Sequence, residues 1–328
     1  MSTKLVVIIV AALVVSVGVG AFFLLNDNDG PGTDTDGDLT VIDNRGKTVT
    51  FPESPKRVMS LGSSFTDTLV TLGCMDQIFA IDQSSITRLV GSGPEYAGLT
   101  SKWALTSGAP TTLTAEQALT YSIDCVIVWN FSSYSAGIEA LENAGIRVLA
   151  LYPTNIESVK DVISVIGTVM GKSAEAAALI DDINVTIQNI TDLAKTKAGT
   201  NYGNYKKIYV ELDTASHTSP GTNTITGSML DILGVNYLSK ANGTTGSVFY
   251  GSEAIIVFNP DILLFMGPVP TGYDALRAGA FDGLSATVNV YNNGTGAGFN
   301  GNWASATPSF INGLVYLYEL IYGEAYEP

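Results

Sequence analysis

Histidine and cysteine are nearly absent from this sequence. Its 328 residues contain one histidine, His217, and two cysteines, Cys74 and Cys125. Because first-row metal sites usually need several His or Cys ligands, no resident metal site is expected. A Ser-His-Asp triad would depend on His217 alone, and no Gly-x-Ser-x-Gly turn is present. The sequence therefore shows no catalytic machinery, and no enzyme activity is expected.

The two cysteines lie in apolar segments, LGCMD and IDCVIVW. Such surroundings are typical of buried thiols. A disulfide between Cys74 and Cys125 is the alternative, which spacing alone does not decide.

Positive charge is also scarce. Sixteen Lys and Arg residues against 31 Asp and Glu residues give a net charge of −15. A surface this acidic repels the phosphates of nucleic acid and the headgroups of anionic lipid, so neither is an expected partner. The Gly-x-Gly-x-x-Gly match at 296–301 lacks a following helix and acid, so it predicts no dinucleotide cofactor.

The amino terminus contains the one long apolar run, residues 5–25. An uncharged run of this length can cross about 30 Å of hydrocarbon as a helix. Because no small-residue cleavage site follows it, an uncleaved anchor is favoured over a signal segment within 1–25. Lys4 before the run places the rest of the chain outside the cytoplasm. Residues 26–40 form an acidic, flexible linker.

Beyond the linker, strand-like and helix-like segments alternate. A hairpin at 39–52 is followed by apolar strands at 57–62, 78–82, 125–129 and 147–152, with helices between them. Strands that are apolar throughout indicate a parallel sheet covered on both faces. The alternation restarts at 207–212, so we predict an α/β protein with two Rossmann-like lobes, 41–155 and 200–328.

A long helical segment separates these lobes at 156–199. Isoleucines at 180, 183, 187 and 190 recur at spacings of three and four. A helix from Ser173 to Lys197 would be about 37 Å long at 1.5 Å per residue. Such a helix could run from one lobe to the other, and its stiffness would limit their closure to a small hinge.

One helix-and-strand unit occurs twice. Glu116 precedes Asp124 by eight residues, and Glu253 precedes Asp261 by eight, each pair ending at an apolar strand. One explanation is that each glutamate stabilises the first turn of its helix through the helix dipole. The other is that two carboxylates at equivalent places in two lobes bind a partner that presents two arginines.

Aromatic and polar residues gather where strands are predicted to end. In open parallel sheets ligands bind beyond the carboxyl ends of the strands. The residues chosen on this basis as a ligand-binding cleft are Ser63, Phe65, Trp103, Asn130, Tyr134, Phe249, Tyr250 and Trp303.

Residues 41–73 resemble the opening of the iron-siderophore and cobalamin class of ABC-transporter substrate-binding proteins. The resemblance rests on a hairpin, a Pro-x-x-Pro-x-Arg-Val strand from Pro52 to Val58, and a Ser/Thr-rich helix that ends in Leu-Gly. Residues 141–173, the sequence NPDILLF at 259–265 and the closing helix match as well. The similarity covers nearly all of 41–323.

That resemblance implies two lobes joined by one long backbone helix, the class III periplasmic-binding fold, with a ligand between them. It implies that Glu116 and Glu253 dock onto the two subunits of an ABC permease, which works with its ATPase. Archaeal members are often held by a transmembrane segment. A single-pass protein of the cell membrane with an extracytoplasmic body is therefore expected.

The ligand implied is a metal chelate that is not bound covalently. Catecholate siderophores are strongly anionic, and this chain has only five arginines, three of them beside strands. A less anionic chelate is favoured, namely a hydroxamate-type ferric siderophore, a corrinoid or a haem-like tetrapyrrole. The alternative function is that of an envelope-anchored interaction protein that binds a glycan or a surface protein.

Overall fold

A computed structural model describes residues 38–212, 217–265, 287–289 and 301–327. The predicted anchor at 5–25, most of the linker, and the first five residues of the glycine-rich stretch lie outside this range. Among the described residues no helix has the length and apolarity to cross a membrane.

The first half of the chain forms a five-stranded parallel sheet. Its strands lie in the order β5-β4-β3-β6-β7. They are β3 (Val58–Leu61), β4 (Ile78–Asp82), β5 (Trp103–Leu105), β6 (Cys125–Trp129) and β7 (Arg147–Leu151). Alternate residues pack on opposite faces, so that Ile127 joins one core cluster while Val126 and Val128 join another. The sheet is therefore covered on both sides.

Four helices connect these strands. They are α1 (Ser63–Thr71), α2 (Gln83–Leu89), α3 (Thr112–Thr120) and α4 (Ser135–Asn143). A serine cap for α1 is the sequence-based expectation, but Gly62 occupies the cap position and Ser63 lies inside the helix. For α3 the capping box is made by Thr111 and Thr114.

A two-stranded hairpin is attached beside the first sheet. Its antiparallel strands are β1 (Leu39–Ile42) and β2 (Thr48–Phe51). The turn is fixed by Asp43, whose carboxylate accepts from the backbone N–H of Ala150 at 3.2 Å and pairs with Arg45 at 2.6 Å. The Asn44 side-chain oxygen accepts from the N–H of Tyr152 at 2.8 Å. The hairpin therefore holds the carboxyl ends of β6 and β7 in place.

Two helices occupy the middle of the chain, α5 (Ile156–Val169) and α6 (Ser173–Ala198). The predicted long helix is confirmed, with its carboxyl end one residue beyond the expected one. Its 26 residues span about 39 Å. Ser173 is the first helical residue and not the cap, which is Lys172. Asn155 and Ser158 form a capping box at the start of α5.

The second half forms a four-stranded parallel sheet in the order β10-β8-β12-β13. Its strands are β8 (Lys207–Glu211), β10 (Asn236–Tyr237), β12 (Ile262–Phe265) and β13 (Thr287–Asn289). A small antiparallel pair, β9 (Thr218–Pro220) and β11 (Ser247–Phe249), accompanies it. The helices are α7 (Ile225–Ile232), α8 (Leu238–Ala241), α9 (Ser252–Phe258) and α10 (Phe310–Tyr322).

The largest core cluster is shared by both halves. It contains Ile127 of the first sheet, Ile183 of α6, Val210 of the second sheet and Leu314 of α10, all of them buried. Smaller clusters cover the outer face of each sheet. Residues of both sheets and of helices α5, α6 and α10 therefore belong to one continuous apolar core. Cys74 and Cys125 are both buried as free thiols.

Candidate functional site

A cleft of about 550 Å³ opens at the carboxyl edge of the first sheet. This is where loops and helix starts converge in parallel sheets. The last residues of β3, β4 and β6 reach it, together with the loop after β5 and a piece of chain before α10. The described residues that line it are Leu61, Gly62, Ser63, Ser64, Asp82, Ser84, Arg88, Thr106, Ser107, Gly108, Trp129, Phe131, Tyr134, Ser305 and Ala306.

One wall of the cleft is aromatic. The rings of Trp129 and Phe131 stack with centroids 5.4 Å apart and planes 10° apart. Tyr134 and Tyr152 each meet Phe131 edge-on, at 5.1 and 5.7 Å. Phe65 packs against Trp129 from within the core, at 5.0 Å. The result is a rigid platform, part of it exposed to solvent, that suits a flat apolar ligand surface.

Gly62 is required at the base of this platform. A Cβ at this position would lie 2.5 Å from Trp129 Nε1, closer than any side chain tolerates. The backbone therefore approaches the indole directly, at the turn where β3 passes into α1. Any larger residue at 62 would displace the indole from the wall.

A second part of the lining is polar. Hydroxyl groups come from the start of α1, from α2 and from the loop after β5, contributed by Ser63, Ser64, Ser84, Thr106 and Ser107. Two lining residues carry charge, Asp82 at the end of β4 and Arg88 in α2. Their formal charges cancel, so the wall is rich in hydrogen-bonding groups while its net charge is close to zero.

The piece of chain before α10 is fastened to the first half by a buried acid. Asp67 of α1 is fully buried. Its carboxylate accepts from Ser309 Oγ at 2.8 Å and from Tyr96 Oη at 2.5 Å. Burial, and then the charge of Asp67, raise the pKa of Tyr96 well above its usual value, so the phenol stays a donor. This network fixes Ser305 and Ala306 at the cleft.

The structure brings some of the sequence-predicted residues together. Ser63 and Tyr134 line the cleft, and Phe65 lies immediately behind its aromatic wall. Asn130 lies next to that wall, but its side chain donates to the backbone oxygen of Asn44 at 3.2 Å. These four residues lie in one region of the first half, and their contact with a ligand stays a prediction.

Trp103 is not part of this cleft. It is the first residue of β5, whereas the cleft lies beyond the other end of that strand. Its ring packs against Tyr121 at 4.7 Å and Phe79 at 6.2 Å. The expected position was wrong because the short strand β5 was not recognised, so the direction of the chain at Trp103 was unknown.

The predicted residues of the second half also lie outside the lining of this cleft. Tyr250 hydrogen-bonds Thr244 at 2.8 Å, and Phe249 beside it is 71% exposed. The ring of Trp303 lies 5.7 Å from that of Tyr316 on α10. Whether these three residues meet a ligand stays a prediction.

Of the 15 described lining residues only Ser63 and Tyr134 were chosen from the sequence as site residues, and Asp82, Arg88 and Trp129 are three of those that were not. For two of these three residues, Asp82 and Trp129, the sequence contains an indication of their position. Asp82 ends the apolar segment IFAID, and Trp129 ends CVIVW, so both stand at the carboxyl end of a strand. Arg88 is brought to the cleft by α2, a helix rich in Ser and Thr that has no clear apolar stripe.

The repeated unit has the same local structure in both halves. Asp124 accepts from the backbone N–H of Arg57 at 2.9 Å, and Asp261 accepts from that of Lys207 at 2.8 Å. Two positions before each aspartate the backbone is left-handed, with φ of 50° at Ser122 and at Asn259. Each aspartate thus joins the start of its strand to the start of a neighbouring strand.

The two glutamates of the unit are both exposed to solvent. Glu253 lies in the first turn of α9, so the helix-dipole explanation fits it. Glu116 does not fit, because the first turn of α3 begins at Thr112 and contains no acid. The sequence-based placement of Glu116 in a first turn was therefore wrong. Its dipole stabilisation is correspondingly weak, since the effect fades beyond that turn.

Large exposed apolar side chains accompany both glutamates. Leu113 and Leu119, three residues on either side of Glu116, are 59% and 54% exposed. Ile256 and Val257, three and four residues after Glu253, are 44% and 84% exposed. Residues three or four apart share a helix face, so each glutamate stands among apolar neighbours at the surface.

A cleft with one aromatic and one hydroxyl-rich wall, at the carboxyl edge of a parallel sheet, is the arrangement of a small-molecule binding protein. Within the described part of the chain, no group of three or more His, Cys, Asp or Glu residues is placed to hold a metal ion. A family profile described as "Periplasmic binding protein" matches residues 58–285. The chain belongs to this family.

Curated relatives agree with the family. A cobalamin-binding protein of Halobacterium salinarum is 24% identical over 277 residues, which are 84% of this chain and 69% of the relative. An uncharacterized ABC transporter substrate-binding lipoprotein of Bacillus subtilis, YvrC, is 25% identical over 69% of this chain and 68% of its own length. The homologues are therefore named as binding proteins, not as enzymes.

Solved structures show the same fold. A possible iron-binding periplasmic protein of Staphylococcus epidermidis superimposes with a TM-score of 0.64 at 19% identity, covering 81% of this chain and 98% of its own. A periplasmic heme-binding protein of Pseudomonas aeruginosa gives 0.63 at 18% identity, covering 83% and 94%. The α/β periplasmic binding fold with its parallel sheet is thereby confirmed.

Proposed function

We propose that this protein is the substrate-binding component of an ABC importer and that its ligand is a corrinoid. The observation that carries the proposal is the pairing of an aromatic platform with a wall rich in hydroxyls and without net charge. A corrinoid is a large ring with apolar faces and a rim of neutral amide side chains. Stacking suits the faces, and hydroxyl groups suit the amides. The name of the Halobacterium relative supports the same ligand class.

Haem and catecholate siderophores fit the described lining less well. Haem carries two carboxylates and catecholate siderophores carry more negative charges still, and proteins usually pair such charges with arginine or lysine. Arg88 is the one basic residue among the described lining residues, and Asp82 offsets its charge. The protein is thus proposed to bind and release its ligand without chemical change.

Titration of the purified full chain tests the ligand. Dicyanocobinamide, ferrioxamine and haem are added separately, and binding is followed by calorimetry. We expect saturable binding of cobinamide, weakened by Trp129→Ala because a wall of the cleft is lost. Trp103→Ala is the matched control at the other edge of the sheet, and it should leave the affinity unchanged. Failure of all three chelates to bind would contradict the proposal and favour an envelope interaction protein instead.

Delivery is proposed to occur through the two surfaces around Glu116 and Glu253. Each presents one carboxylate among exposed apolar side chains, which suits a partner with a basic residue set in an apolar surface. Because the two units share one local structure, the partner is expected to offer the same surface twice, as a permease of two equivalent subunits does.

Binding to the permease and its ATPase in nanodiscs tests the docking surfaces. The double variant Glu116→Ala with Glu253→Ala is expected to lose about tenfold or more in docking affinity while its ligand affinity is unchanged. Asp76→Ala with Asp181→Ala is the control, since it removes two exposed charges elsewhere. Equal docking of both double variants would show that the glutamates serve only their own helices.

We further propose that residues 5–25 anchor the protein in the cell membrane with its body outside the cytoplasm. Support comes from the apolar run itself and from the lipoprotein name of the Bacillus relative. The full chain should stay with membranes in an alkaline carbonate wash, and a chain lacking residues 1–25 should be released. Release of both forms would contradict the anchor.

A further inference from the structure

Asp82 is a buried carboxylate in the wall of the cleft. It is the last residue of β4, only 3% of its surface is exposed, and it belongs to the lining. A buried charge is costly unless it is paired or hydrogen-bonded, so its presence there requires an explanation. Helix capping does not provide one, because the Asp82 side chain accepts no backbone N–H at the start of α2.

The carboxylate is held rigidly by hydroxyl groups. Ser84 Oγ donates to Oδ2, and Ser85 Oγ donates to Oδ1 at 2.5 Å. Ser85 is linked at 3.0 Å to Thr66, which is linked at 2.8 Å to Ser60, and these three residues are fully buried. The orientation of Asp82 is therefore fixed from the core outward, before any ligand arrives.

The carboxylate of Asp82 can accept further hydrogen bonds. An ionised carboxylate has about four acceptor positions, and the described hydroxyls use two of them. Gly108 lies on the cleft side, where an added Cβ would stand 3.1 Å from Oδ2. The absence of a side chain there leaves the carboxylate accessible from the cleft. An N–H group of a ligand could reach it through this gap.

We infer that Asp82 determines ligand specificity, accepting a hydrogen bond from an amide side chain of the ligand and repelling chelates that bear carboxylates at the same place. This inference rests on the proposed corrinoid ligand and adds the residue that selects it. Arg88 brings the formal charge of the whole lining to zero but does not cancel this local effect, because its exposed charge is screened by water whereas Asp82 is buried.

Two corrinoids with the same ring test the inference. Dicyanocobinamide carries amides around the ring, and dicyanocobyrinic acid carries carboxylates. Both are titrated by calorimetry into the full chain and into Asp82→Asn, which keeps the shape and removes the charge. We expect the full chain to prefer cobinamide and the variant to lose at least about tenfold of that preference, the range expected for a hydrogen bond to a charged group. Asp76→Asn, at an exposed acid outside the cleft, should keep the preference.

A second variant guards against misfolding of Asp82→Asn. Ser84→Ala leaves the carboxylate in place and removes one of its internal donors, so the preference for cobinamide should persist or increase. If the unmodified chain binds cobinamide and Asp82→Asn keeps the full preference, the inference is overturned while the proposed function stands. If the preference falls with Ser84→Ala instead, the hydroxyls and not the carboxylate select the ligand. If neither corrinoid binds the unmodified chain, the proposed function fails as well.

Discussion

In each sheet one strand ends in a buried acidic residue, and these two residues have different surroundings. Asp82 ends β4 and opens onto the cleft, held by serine hydroxyls. Glu211 ends β8 and is fully buried, accepting from Tyr209 Oη at 3.0 Å and paired with His217 Nδ1 at 3.0 Å. Burial, and then the charge of Glu211, raise the pKa of Tyr209 far above its usual value, so this phenol stays protonated. Two buried acids at strand ends, one in each half, thus have different surroundings, a cleft for Asp82 and a packed interior for Glu211.

Replacing Glu211 is the strongest way to test this contrast. Glu211→Ala would remove the buried carboxylate that Tyr209 Oη and His217 Nδ1 both contact. We expect the free energy of unfolding to fall by about 3 kcal/mol. Urea denaturation followed by circular dichroism measures it. Asp82→Ala should cost clearly less stability, because Ser84 can turn to water, and an equal loss for both would erase the contrast.

Asp67 joins the two halves, so removing it tests whether the cleft depends on that link. Asp67→Ala deprives Tyr96 and Ser309 of a shared acceptor. The expected loss is about 2 kcal/mol of unfolding free energy, together with weaker ligand binding because Ser305 and Ala306 lose their anchor. Denaturation and calorimetry provide the two readings. Asp76→Ala is the exposed control, and comparable losses in the control would contradict the role of the network.

Aromatic residues of the two halves can be compared directly. Phe131 lies in the cleft wall, and its removal should weaken cobinamide binding about tenfold, in keeping with the loss of a stacked ring. Phe249 of the second half is the matched variant. If Phe249→Ala weakens binding as much as Phe131→Ala does, the second half contributes equally to the ligand site. A smaller effect would assign most of the stacking to the first half.

The smallest effect concerns an ion pair on the hairpin side of the first sheet. Burial alone would raise the pKa of Glu142, but hydrogen bonds from Lys47 and Arg45 outweigh it and hold that pKa below its usual value. A carboxyl group with a lowered pKa stabilises the fold fully at a pH above the pKa that it has in the unfolded chain. This contribution is lost as the pH falls through the lower pKa that the group has in the folded chain. Because Glu142 is partly exposed and water screens its ion pairs, about 0.5 kcal/mol is expected. Denaturation of Glu142→Gln at pH 7 and pH 3 measures it, and an equal loss at both would contradict the ionic origin.

Regular elements with strong apolar patterns could be predicted from the sequence. The strand at Cys125–Trp129 and the helix from Ser173 lie where the apolar pattern predicted them. In both elements that pattern shows directly which side chains are buried. The strand β5 and the helix α2 were missed. The three residues of β5 are too few to show a periodic pattern. In α2 the Ser and Thr residues obscure the apolar pattern of the buried face. These omissions affected the predicted cleft. It included Trp103, whereas the structure places Trp129 in the lining.

Hydrogen bonds of buried acids to residues far away in the sequence could not be predicted either. Asp67 and Ser309 are separated by 242 positions, and the acid itself lies in a helix that gives no hint of a distant partner. Nor does the segment IFAID indicate that its aspartate is buried among hydroxyl groups. Contacts of this kind depend on the packing of α1 and α10, which only the folded chain defines.

The apolar core that runs through α5, α6 and α10 has a consequence for how the protein melts. Each sheet has a smaller cluster of its own on one face, but the largest cluster is shared by both, since Ile127 and Val210 belong to it. Calorimetric heating of the body of the protein is therefore expected to give one cooperative transition, with matching van't Hoff and calorimetric enthalpies. Cutting the chain between α5 and α6 would yield fragments that aggregate, because each would expose half of an interior made for both.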